Sequence, residues 1–175
     1  MPQESDIPAT KSESLFLLVG SLHGSIAGMR LLRDRFVPIY RHFVPPNPLI
    51  TVGRMLRLVP QPDYARYENE LKGLRDAAWA TIEQSNSWGK ELVALGLGPV
   101  VNELARASVV HISFDGNVIV LFYEWVKAMR GYDREGAKVF PAVMQNARSA
   151  QTHLSTFVAA NEAFRRLIEG SAPEA

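Results

Sequence analysis

Apolar residues recur at alternating spacings of three and four along most of the chain, the stripe left by packed amphipathic helices. The first run is Leu15, Leu18, Leu22, Ser25, Met29, Leu32, Phe36, Ile39 and Phe43, apolar at every position but the serine. It predicts a helix over residues 14–43. Pro38 lies inside this run and is expected to kink the helix or end it early, because proline has no N–H to donate. Pro45, Pro46 and Pro48 then stop it.

A second run, Leu71, Leu74, Ala78, Thr81, Ser85, Trp88, Leu92 and Leu95, predicts a helix from Tyr64 to Leu95 with Asp63 as its N-cap. Gly96 and Gly98 end it, and Pro99 opens the next helix at a favoured first-turn position. That third helix is expected to reach Arg130, with Lys127 and Arg130 in its last turn and Gly131 beyond. Its middle, from Val109 to Phe122, is almost wholly apolar, as in a helix surrounded by others. Phe114-Asp115-Gly116-Asn117 leaves two readings, a continuous or kinked helix and a small hairpin turn. The helix is favoured, since both flanks read as helix and a lone hairpin is marginal. A last helix follows Asp133, whole or restarted at Pro141, and ends near Glu169. Its stripe is Phe140, Val143, Ala147, Ala150, Leu154, Phe157, Asn161, Phe164 and Ile168.

These elements predict an all-α fold: four long helices in an up-down-type bundle, plus a short helix in the 44–62 crossover. Residues 13–170 form the domain, with tails at 1–12 and 171–175. With 47% apolar and 21% charged residues, 175 residues can bury one sizeable core. The absence of cysteine excludes disulfides, thiolate metal sites and cysteine nucleophiles.

The formal net charge of +1 is unevenly spread. Residues 30–60 hold six arginines (Arg30, Arg33, Arg35, Arg41, Arg54 and Arg57) against one acid, Asp34. Just before them, Ser14–Met29 carries no permanent charge over 16 residues, fewer than the ~20 that span a bilayer. This stretch reads first as a buried helix. The first ten residues are polar and acidic, unlike a secretory leader, so the chain is expected in the cytoplasm, with membrane association as a further expectation.

The most unusual local pattern is Gly20-x-x-x-Gly24-x-x-x-Gly28. A glycine inside a helix costs roughly 1 kcal/mol relative to alanine, so three in register call for a compensating contact. The row lies opposite the Leu15/Leu22/Met29 seam. It suits close approach of another helix, either within the bundle, across an oligomer or in a membrane. Arg30, Arg33, Arg54 and Arg57 add attraction for an anionic surface such as phospholipid headgroups. Nucleic acid is not expected, because aromatic and glycine-rich RNA-binding patterns are missing. In the order of its first sixty residues the chain resembles the HeLo-like death-execution domains, whose apolar, small-residue-rich first helix is released to attack membranes. That resemblance implies membrane activity, and it carries no residue-level motif.

Enzymatic readings are thinner. His23, His42, His111 and His153 share no metal-ligand spacing, so no metal or cofactor is expected. His111 and Asp115, four apart, suit a base and its orienting carboxylate, or a satisfied buried pair. Arg148-x4-His153 and Arg106-x4-His111 match the loose Arg-x4-His pattern of HEPN ribonucleases, and Arg35 to His42 fits a longer variant. The resemblance implies RNA cleavage by Arg148 and His153 as the alternative function. A third reading is a small-ligand sensor with a pocket between Trp79, Trp88 and Trp125. The leading expectation is a non-enzymatic module acting through a protein partner, a second copy or an anionic membrane.

Overall fold

The computed structural model describes residues 9–44 and 62–170, together with 49, 50, 53, 58 and 60. The helices whose bounds lie among the described residues are α1 (Ala9–Phe43), α2 (Tyr64–Ala94), α3 (Pro99–Arg130), α4 (Arg134–Ala137) and α5 (Phe140–Gly170). No strand occurs among the described residues. The chain is an all-α bundle, as the periodicity predicts. The short helix expected in the 44–62 crossover lies largely outside the described residues, as do Arg54, Arg57 and the tail at 171–175.

Helix α1 starts at Ala9, earlier than the apolar stripe indicates. Its first turns are tied down by polar contacts that the stripe cannot reveal. Lys11 Nζ donates to the Leu95 carbonyl at 3.2 Å, and Ser14 Oγ donates to the Thr10 carbonyl at 3.0 Å. Helix α1 also runs through Pro38 to Phe43. Pro38 is exposed, and so is Asp34, whose carbonyl loses its helical partner, so solvent can reach the unpaired group. Asp63 caps α2 as expected, its carboxylate accepting from the Arg66 N–H at 3.1 Å.

Cross-contacts give the direction of each helix. The Phe43 ring lies tilted against Tyr64 and edge-on to Tyr67, so α2 runs antiparallel to α1. Arg130 pairs with Glu68, and Gly89 faces Val109, so α3 runs back along α2. Trp125 meets Phe140 and His111 meets Phe157, which sets α5 antiparallel to α3. The result is up-down-up-down. Helix α3 packs closely on α1, α2 and α5, whereas α1 and α5 lack an equally close backbone contact. The near-continuous apolar middle of α3 follows from this central place.

The α1 seam is buried as predicted, with Leu15, Leu22 and Met29 at 2% exposure or less. In α2 the buried row is Leu71, Leu74, Ala78, Ile82, Ser85, Gly89 and Leu92. It differs from the predicted stripe in taking Ile82 and Gly89 where Thr81 and Trp88 stood. Residues 81 and 88 are half-buried at its edge. Gly89 faces the core because α3 comes close there: a Cβ on it would lie 2.5 Å from Val109 Cγ2. Around Gly116 the helix is continuous, and the hairpin reading is corrected. A Cβ on Gly116 would lie 2.7 Å from Ile82 Cδ1 and 2.9 Å from Met29 Cε. The glycine marks the point where α1 and α2 both press on α3, not a turn.

Candidate functional site

Two surfaces follow from this arrangement. The first is the outward face of α1. Gly20 and Gly24 are exposed and Gly28 is half-buried. A Cβ built on any of the three would meet nothing within 4 Å. The row therefore has no partner among the described residues. Around it stand Leu17 at 70%, Leu31 at 67% and Phe16 at 54% exposure. At about 100° per residue, Leu17 and Leu31 point within about 20° of Gly24. Large apolar side chains thus rise on either side of a shallow glycine trough.

The second surface is a cleft of about 460 Å³ between α1 and α5, floored by α3. It exists because α1 and α5 are bridged by side chains rather than by close backbones. At one end Tyr40 Oη donates to Met144 Sδ at 3.4 Å. At the other, His23 Nε2 and Asn161 Oδ1 are 2.9 Å apart, and the His23 ring meets Phe157 edge-on. Asn161, on the predicted α5 stripe, thus fixes register through a histidine of α1. Between the bridges the walls are apolar and small: Val37, Val118, Ala147 and Ala150 leave the space open. Burial raises the Tyr40 phenol above its ordinary value.

The polar end of the cleft is built from Asp115 and Arg33. Asp115 is buried by α3's central position, with its side chain only 6% exposed. Arg33 Nη1 reaches it at 3.4 Å from a side chain that is 51% exposed. This is the one hydrogen bond to Asp115 among the described residues, and it is long for a charge-assisted contact. One turn back, His111 is also buried, stacked on Phe157, with Nδ1 lacking any partner among the described residues. Its pKa lies below the ordinary value, first because burial disfavours the imidazolium. The Asp115 charge and a backbone hydrogen bond to Ala150 oppose that shift, and Arg30 and Arg33 add to it.

Among the described residues, the sequence-predicted arginines are not all free. Arg33 turns to Asp115, and Arg35 Nη2 lies 4.0 Å from Glu70. Arg30 and Arg41 are exposed. Of the ribonuclease-like pairs, Arg106 is exposed and held by Glu103 at 2.6 Å, while His111 is buried. That pair is split between surface and core. Arg148 is exposed, and His153 lies half-buried against Phe114 with ring centroids 4.9 Å apart. No tryptophan lines the α1–α5 cleft. Trp79 is half exposed and donates to Glu83, and Trp125 packs between Phe122 and Phe140. No group of three metal-ligating side chains occurs among the described residues.

Arg33 and Asp115 both stand out in the sequence, but their meeting at one cleft does not. A lone carboxylate inside the apolar run of α3 was the available signal, since a buried acid needs a basic partner from another helix. Tyr40, Met144 and Gln151 carry no such signal. Two helices, Thr10–Phe43 and Pro99–Arg130, are long and apolar enough to cross a membrane. Half of the apolar window in the second is buried in the bundle. Comparison with models of known protein families, with curated proteins and with solved structures finds no match.

Proposed function

We propose that this chain is a non-enzymatic helical-bundle module that associates with a second copy of itself through the outward face of α1. The observation that supports this is the open glycine row: three mid-helix glycines are destabilising where no described residue packs against them. A close-packed helix would supply the missing return.

The spacing of this face is also mirrored about Gly24, with opposite charges at its two ends. Glu13, Leu17, Gly20, Gly24, Gly28, Leu31 and Arg35 fall at mirrored spacings, and all point within about 40° of Gly24. Two copies crossing antiparallel at Gly24 set Leu17 beside the other copy's Leu31 and Glu13 beside its Arg35. That is the self-complementarity a two-fold interface requires. The test is sedimentation velocity on the wild type and Gly24→Leu over a concentration series. Dimer is expected in the wild type and monomer in the variant, with unchanged helical content. A wild type that stays monomeric at high micromolar concentration contradicts it.

A second reading places the same face on a membrane. Phe16, Leu17 and Leu31 are exposed on α1, and Arg30 and Arg41 are exposed after its uncharged stretch. Apolar insertion beside anionic headgroup attraction is the pattern of interfacial helices. Flotation with anionic vesicles at low salt tests this, with Leu17→Lys expected to abolish binding. Absence of flotation for the wild type removes the membrane reading and leaves self-association standing.

A further inference from the structure

The cleft between α1 and α5 has a composition that the association reading leaves unused. Its walls are aliphatic and aromatic, and its volume of about 460 Å³ lies within the range of small-molecule sites. Its one buried charge is the Asp115 carboxylate, served by a single long contact from Arg33. An ionised carboxylate can accept about four hydrogen bonds, and a buried one is costly when they are missing. Among the described residues Asp115 accepts only this one long contact, and the cleft opens beside it, so its remaining acceptor capacity is left to water or to a ligand there. Arg33 is half exposed and keeps its hydration without Asp115, so it is a weak competitor for that site.

We propose that this cleft binds an apolar ammonium, an amine with an aliphatic or aromatic body, its nitrogen against Asp115 and its carbon chain along Phe36, Val37, Val118, Met144 and Leu154. The ammonium supplies three donors and a compensating charge where both are short. The chain covers apolar surface that α1 and α5 leave open, and the rings of Phe36 and Tyr40 add a favourable surface for a cation. A carboxylate ligand is disfavoured, because it would bring a second anion to Asp115.

Three probes with one chain length separate charge from hydrophobicity: n-octylammonium, n-octanol and n-octanoate, each titrated by calorimetry at neutral pH below its micelle concentration. Octylammonium is expected to bind at least about tenfold more tightly than octanoate, with octanol between them. Asp115→Asn should cut octylammonium affinity by about tenfold or more and leave octanol unchanged. Ala147→Trp, which fills the cleft from α5 without touching Asp115, should abolish binding of all three. The second variant keeps the test decisive if the first fails to fold. The proposal is overturned if octanoate binds as well as octylammonium, if Asp115→Asn binds octylammonium normally, or if none of the three binds. Self-association measured on the same samples reports on α1's outer face independently, so either reading can fail alone.

Discussion

Replacing Gly24 with alanine should make the isolated bundle more stable and its self-association weaker. Gly24 sits mid-way along α1, is exposed, and would place its new methyl in open space. No steric cost opposes the gain in helix propensity, about 1 kcal/mol for glycine to alanine in a helix interior. For a chain of this size that is about 2–4 °C in Tm. Gly89→Ala is the internal control with the opposite sign. Its methyl would meet Val109 Cγ2 at 2.5 Å, and valine is stiff at χ1, so α2 and α3 must move apart. Overpacking of that kind costs about 1–3 kcal/mol, which exceeds the propensity gain. Guanidinium denaturation at low protein concentration, followed by circular dichroism, reads both variants without a contribution from dimer. Sedimentation at high concentration then reads association. A destabilised Gly24→Ala refutes the reasoning at its base, because it would mean that the row is covered within one chain. A stabilised variant with undiminished association would place the contact elsewhere.

Two further outcomes follow from the fold itself. Asp63→Ala removes the side-chain acceptor for the Arg66 N–H at the start of α2 and should cost about 1 kcal/mol in denaturant unfolding. For His111, burial lowers the folded-state pKa beneath its ordinary value of about 6.5. The unfolded chain therefore binds more protons between the two values, and stability falls as pH drops from about 6.5 towards the folded value. His111→Gln should flatten the unfolding free energy between about pH 5 and pH 7, and an unchanged slope would assign the dependence to other groups.

Helix periodicity made most of the bundle legible, since a buried stripe is a property of local sequence. The bounds of α3, Pro99 and Arg130, follow from proline at the start and glycine after the end. What the pattern left open depended on neighbours. Gly116 reads equally as a turn residue or as a place where Met29 and Ile82 press in, and only the packing decides. Gly89 is invisible to a hydrophobic stripe because a glycine adds nothing to it, although it marks a close approach of α2 and α3. The start of α1 rests on Lys11 reaching Leu95, a contact across 84 residues of chain. The Gly20–Gly28 row was visible in sequence, but whether a helix covered it was not. The cleft was the least legible feature, since it arises from a gap between α1 and α5 that no single segment encodes.

The chain has no cysteine, so one introduced thiol reports a single position. The proposed antiparallel crossing at Gly24 would bring the two copies' backbones together there, and a disulfide needs a Cα separation of about 4.4–6.8 Å. Gly24→Cys under mild oxidation should give a disulfide-linked dimer at micromolar concentration, while Lys90→Cys on the exposed side of α2 should remain monomeric. Monomer in both, or equal cross-linking of both, would contradict the assignment of α1's outer face as the contact surface.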